Sequence, residues 1–332
     1  MTHFMEQGER LILMDLQVKY ELPDARLPAD DIKALVEAGI RTAMIFHVDW
    51  NRIEPVRGQR SLQYLVDRVE LLHECGMKSL VMCHSYLPNW IPDEWKVRNA
   101  NGQTLQMISP WNSEAMAYAT GFYSEFGFTF MKPYSMAMNG WLTDGETLFP
   151  NEICIFDEAA KAAYHAAYGA EEPGTSVAHS LEFLKNTQIS LFVFLQHLLS
   201  QYNVSQEIWT ALHPALAGYP GNGCAFTADM LAGFKSVRPC GHINHLYCTW
   251  TQWDNYFPQM MGLKEAFGER VYGGAEYAEG VVAQTQKAIS VGIDGLLIGP
   301  CHPFTGHTRI EPWMLENIKT AMGLWAAVPQ GG

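Results

Sequence analysis

Short apolar runs alternate with amphipathic stretches along most of the chain. Leu11–Val18, Thr42–Val48, Lys78–His84 and Met136–Thr143 have the length and composition of buried strands. Glu207–Leu212, His242–Cys248, Val271–Ala275 and Gly295–Ile298 continue the pattern in the second half. Helical periodicity fills the intervals at Asp30–Ala38, Leu62–Glu74, Ser113–Phe126, Asp157–Tyr168 and Val177–Tyr202. It returns at Ala228–Val237, Gln259–Phe267, Val281–Val291 and Trp313–Trp325. Gly39, Gly76 and Gly292 stand where these helices must stop.

Eight strand–helix units in one run predict an α/β fold, a single (β/α)8 barrel over residues 1–332. A doubly wound open sheet is the competitor. Its glycine-rich phosphate loop is missing after the first strand, where the chain reads Asp15-Leu16-Gln17-Val18-Lys19. Two long loops, residues 85–112 after the third strand and 147–180 after the fourth, are expected to shape a cleft.

A chain of 332 residues that is 48% hydrophobic and 17% charged can bury a large core. The net charge of −13 argues against polyanions, and no lysine- or arginine-rich run offers a surface to nucleic acid. The seven cysteines are scattered and never spaced C-x-x-C, which predicts neither a zinc knuckle nor a disulfide framework. With a polar start at Met1–Arg10 and no apolar stretch long enough for a bilayer, a cytoplasmic protein without a membrane partner is expected. Neither the composition nor the motifs require a cofactor or indicate an oligomeric state.

Candidate chemistry collects at the predicted strand ends. These positions hold Asp15 and Gln17, then His47, Asp49 and Trp50, then His84. Asp144 and Glu146 follow on the fourth strand, His213 on the fifth, and His245, Tyr247, Trp250 and Gln252 on the sixth. Glu276 and Glu279 end the seventh, and His302 the eighth. The C-terminal ends of barrel strands form the catalytic face. Glu146 and Glu276 are the two glutamates that follow strands directly there, and two facing carboxylates are the minimum apparatus for cleaving a glycosidic bond. Asp144 and Trp141 beside Glu146 supply like charge and apolar cover, the conditions that keep a carboxyl protonated as general acid. Tyr272, Tyr277 and Tyr247 are expected near Glu276 and could hold it ionised as nucleophile or base. Glu279 is its rival. Trp50, Trp90, Trp141, Trp250 and Trp313 are candidate platforms for sugar rings, with two or three in the cleft and the rest in the core. The remaining site positions named above would contact an oligosaccharide or polysaccharide.

One further motif points the same way. The run Trp50-Asn51-Arg52-Ile53-Glu54-Pro55-Val56-Arg57-Gly58 resembles the second-strand loop of sugar-cleaving barrels. Gly76-Met77-Lys78, Pro88-Asn89-Trp90-Ile91-Pro92, Asn101-Gly102-Gln103 and Ser109-Pro110 continue the likeness. Together they resemble β-galactosidase-type members of the retaining glycosidase clan, with acid/base on the fourth strand and nucleophile on the seventh. Gly145-Glu146-Thr147-Leu148-Phe149-Pro150 is similar to the fourth-strand motif of β-amylases. The chain departs from the clan in having Gly145 where Asn usually precedes the acid, and from β-amylases in having His47 where they carry Asp. The resemblance covers roughly residues 40–150 and implies a glycoside hydrolase, or a transglycosylase of the same chemistry.

Two other readings use the same residues. His47, Asp49, His84, Glu146, His213, His245 and Glu276 could ligate a divalent metal in a sugar isomerase-like barrel. A carbohydrate-binding barrel without catalysis is the other.

Overall fold

The computed structural model describes residues 9–15, 27–84, 87–144, 153–202, 207–211, 243–244, 271–275, 278–301 and 307–328. Eight parallel strands run through them: β1 Leu11–Asp15, β2 Thr42–Asp49, β3 Lys78–His84 and β4 Met138–Asp144. They continue with β5 Glu207–Ala211, β6 Ile243–Asn244, β7 Val271–Ala275 and β8 Gly295–Ile298. Each pairs with its successor, and β8 pairs back onto β1 through Leu296, Leu297 and Ile298. The described helices are α1 Ala29–Glu37, α2 Gln63–Glu74, α3 Ser113–Phe126, α4 Glu158–Tyr168 and α5 Val177–Ser200. Two more, α6 Val281–Val291 and α7 Pro312–Ala326, follow β7 and β8. The helices expected after β5 and β6 lie outside the described residues. None of the described helices is long and apolar enough to cross a membrane.

Strand parity divides the core. Leu11, Leu13, Ala43, Ile45, Val81, Leu296 and Ile298 pack with Ile32, Leu35, Leu65, Val69 and Leu72 of the helices. Ile12, Met44, Leu80, Tyr272 and Leu297 alternate with them and are equally buried on the other side of the sheet. In β2 two residues between Ile45 and Val48 stand opposite one residue of β3, a bulge that changes the parity of the strand's last residues. The helix-to-strand returns obey the expected stops. Gly39, Gly76 and Gly292 all have positive φ. Backbone bonds from Ile40 to Leu35, Met77 to Leu72 and Ile293 to Ala288 close the same terminal motif each time.

Tyr272 crosses the interior and donates its hydroxyl to the Glu9 carbonyl at 3.1 Å, beside the start of β1. A side chain at Gly295 would lie 2.4 Å from that ring, so β8 must begin with glycine. The Tyr272 hydroxyl is thus engaged beside the start of β1, while Glu276, near which it was expected, lies outside the described residues.

The two long loops build a body of their own. A hairpin of Lys96–Arg98 and Thr104–Ile108, absent from the sequence expectations, follows β3. Its Val97 and Met107 pack with Cys154, Ile155, Ala160 and Tyr164 from the segment after β4, and with Leu184 of α5. Trp111 stacks on Phe183 at 5.4 Å, and Ser109 donates to Asp157, the N-cap of α4, at 2.9 Å.

Candidate active site

The strand ends bring Asp49 and His84 together as backbone partners at the tops of β2 and β3. Asp49 is half-buried. Directly after it the chain enters a single helical turn, Trp50–Ile53, and Glu54 closes that turn with its amide on the Trp50 carbonyl.

Glu54 is the hub of the described rim. Its side chain is wholly buried and accepts four hydrogen bonds. Trp50 Nε1 at 2.8 Å and Arg60 Nε at 3.0 Å reach one oxygen. The Gly58 amide at 2.6 Å and the Tyr118 hydroxyl at 2.5 Å reach the other. Burial alone would raise this carboxyl, but the donors and the Arg60 charge outweigh it and hold the pKa below the ordinary value. The Glu54 carbonyl also accepts from Trp90 Nε1 at 2.7 Å. One glutamate thus ties the loop after β2 to α3 and to the loop after β3. The signals for this in the sequence were the four-residue steps from Trp50 to Glu54 and from Glu54 to Gly58.

Trp50 does not serve as a sugar platform. Its ring lies 4.4 Å from Phe122 and 6.2 Å from Tyr118, both nearly parallel, with Trp90 edge-on at 6.3 Å, and only 2% of it is exposed. It belongs to the core, as some of the five tryptophans were expected to. Trp90 remains half-buried at the rim. Trp313 is also half-buried and donates to Glu311 at 2.7 Å.

Asp15 takes a different role from the expected sugar contact. It shares the helix-facing parity of Leu11 and Leu13, is 1% exposed, and binds Arg68 Nε of α2 at 2.5 Å. The sequence carried the signal, since position 15 falls on the alternation that buries 11 and 13 against the helices. Glu279 lies in the short turn Ala278–Gly280 and half-exposed, with His307 Nε2 3.6 Å away. His307 also meets Glu311 at 3.1 Å, so it links the loops after β7 and β8.

Glu146, Glu276, Gln17, His213, Tyr247, Trp250 and His302 lie outside the described residues, as do His245 and Gln252. His47, His84, Asp144 and Trp141 are described in their backbone alone, within β2, β3 and β4. Among the described residues no three histidine, cysteine or acidic side chains gather in a way that could hold a metal ion.

No protein-family model matches the chain. A stretch of 65 residues is 37% identical to the β-galactosidase BgaH of Haloferax lucentense, covering 19% of this chain and 10% of that protein. The chain thus matches only about a tenth of that curated relative's length. Among solved structures it is similar to the catalytic domain of β-amylase from Paenibacillus polymyxa, with a TM-score of 0.75 at 13% identity. That likeness covers 97% of this chain and 99% of the other. The β-galactosidase of Marinomonas ef1 gives a TM-score of 0.68 at 12% identity, over 95% of this chain and 59% of that one. The β-galactosidase of the Antarctic haloarchaeon Halorubrum lacusprofundi gives 0.69 at 12%, over 97% and 59%. The chain therefore has an α/β fold with a parallel sheet, similar to that of glycoside hydrolase barrels, in agreement with the resemblance seen in its motifs.

Proposed function

We propose that this protein is a glycosidase acting on an oligosaccharide or polysaccharide, with Glu146 as general acid and Glu276 as the second carboxylate. One observation carries the reading. β4 ends at Asp144 and β7 at Ala275, three places apart in the ring of strands, so each glutamate follows a strand's C-terminal end within two residues. That is the position from which barrel enzymes act. The fold shared with β-amylase and β-galactosidase domains supports the same reading. On this reading residues 1–332 act as one unit in the cytoplasm.

Glu146 protonates the leaving oxygen. Glu276 attacks the anomeric carbon if the two carboxyls are about 5 Å apart, or activates water if they are roughly 6.5–9.5 Å apart. Of the three tyrosines expected near Glu276, Tyr272 donates its hydroxyl to the Glu9 carbonyl beside the start of β1. Proton NMR of the first-formed product distinguishes the two outcomes.

The paired variants test the assignment. Glu276→Gln abolishes turnover of every glycoside, because a neutral amide replaces neither a nucleophile nor a base. Glu146→Gln loses about 10²–10⁴-fold on an oligosaccharide. It keeps measurable activity on a nitrophenyl glycoside, whose leaving group departs without a proton. Equal losses on both substrates would remove Glu146 from the acid role and direct attention to Asp144 and Glu279.

A further inference from the structure

We propose that Arg57 and Trp90 form an outlying subsite that holds one unit of a neutral saccharide chain, away from the reacting bond. The proposal rests on the glycosidase reading above and adds a substrate-length requirement to it.

The argument starts from a tight turn. Val56–Gln59 closes with the Gln59 amide on the Val56 carbonyl at 2.9 Å, and Gly58 takes φ 78° in its third position. Glu54 anchors the turn from beneath by accepting the Gly58 amide. Arg57 therefore stands at the corner of a braced loop. Its guanidinium carbon lies 5.1 Å from the ring centres of Trp95 and Tyr118 and 5.8 Å from that of Trp90. Three rings hold the cation in place.

The neighbouring Arg60 shows what a structural arginine looks like here. It also lies over Tyr118 and Phe122, at 5.5 and 5.4 Å, but it is ion-paired with Glu54 and with Glu125. Arg57 is exposed, and no acceptor among the described residues takes its N–H groups. An aromatic stack thus presents an oriented fork of donors to solvent. Orientation in advance lowers the entropy lost on binding.

Trp90 supplies the second element. Its indole N–H is committed to the Glu54 carbonyl, so the ring is fixed while part of it stays exposed. An indole beside a donor fork suits a pyranose, whose apolar face packs on the ring while its hydroxyls accept hydrogen bonds. The net charge of −13 selects a neutral chain over a polyanionic one.

The test uses the intact protein and two unbranched probe series, α-1,4-gluco- and β-1,4-galacto-oligosaccharides, each from the disaccharide to the heptasaccharide. Arg57→Ala should raise KM about tenfold for the heptasaccharide of the series that is cleaved. It should leave kcat, and KM for the disaccharide, unchanged. Arg57→Gln, which keeps donors, should recover part of the loss. An equal loss at every chain length, or a fall in kcat, means that Arg57 only supports the loop and overturns the proposal. An effect abolished by raised sodium chloride means that an anionic group is read, and overturns the neutral ligand. If neither series is cleaved, the glycosidase reading fails for these two linkages, independently of the subsite. Quenching of tryptophan fluorescence by the same heptasaccharides then decides the subsite. Quenching lost in both Arg57→Ala and Trp90→Ala upholds it, and quenching unchanged in either, or absent from the wild type, rejects it.

Discussion

Glu9 is a carboxyl that the fold holds under strain of charge, and replacing it by glutamine should stabilise the protein in a pH-dependent way. It lies just before β1, 9% exposed, with one oxygen accepting the Arg41 amide at 3.1 Å and the other the Thr42 hydroxyl at 2.9 Å. Burial pushes its pKa up to about 7 from the ordinary 4.5, and these hydrogen bonds and the Arg41 charge offset only part of that. The folded chain therefore binds the proton more tightly than the unfolded one. Stability is highest below pH 4.5, falls as pH rises from there to about 7, and is then level. Each pKa unit is worth about 1.36 kcal/mol, so the loss reaches about 3 kcal/mol.

Glutamine copies the protonated form: its oxygen accepts the Arg41 amide and its amide donates to Thr42. Glu9→Gln should gain about 3 kcal/mol at pH 8, or about 4 °C in Tm for a chain of this size. At pH 4.5 the gain should shrink to well under about 1 kcal/mol. Thermal melting by circular dichroism across that range measures both ends. A gain of the same size at pH 4.5 and pH 8, or a variant less stable at pH 8, would refute the reasoning.

Three other perturbations separate structural from functional groups. Glu54→Ala strands four donors and should cost about 3–5 kcal/mol in urea unfolding; because its pKa is depressed, the wild-type contribution is present above the ordinary 4.5 and lost as pH falls below it. Asp15→Asn breaks a buried ion pair and should lower stability by about 3 kcal/mol while KM stays constant; Asp49→Asn should raise KM, measured by steady-state kinetics on the cleaved oligosaccharide. Burial, with Asp31 and Asp15 adding to it, pushes the Cys301 thiol up to about 12, so iodoacetamide at pH 8 should label it slowly until the chain is denatured, as peptide mass spectrometry would show.

Much of the fold was legible because local signals agreed. β3, α3, β7, α6 and β8 begin and end as the apolar runs and the glycine stops require. The hairpin after β3 was not legible, since Lys96–Arg98 is short and its partner lies across a turn at Asn99–Gly102. The burial of Trp50 was not legible either. A tryptophan at a strand end reads as a platform, and what covers it is Phe122 and Tyr118, some seventy residues on. Glu54 stands in a legible motif, and of the four donors on it three come from the loop itself and the fourth from α3. Local spacing could reveal the first three, and only packing reveals the last.

Strand parity decides what a polar residue at a strand end can do, and the two aspartates of β1 and β2 show how. Asp15 follows an uninterrupted alternation from Leu11 and Leu13, so it faces the helix layer and meets Arg68. Without the bulge in β2, Asp49 would share the side of Ala43 and Ile45 in the same way. The extra residue between Ile45 and Val48 hands that side to Val48, which joins the helix-facing core. Alternation then gives Asp49 the opposite face, at the top of the strand and paired in register with His84. One inserted residue thus turns a position that would close an ion pair with the helices into one that can face a ligand. The Glu54 network immediately downstream braces the turn that follows Asp49, through Trp50 at its start and Gly58 beyond it.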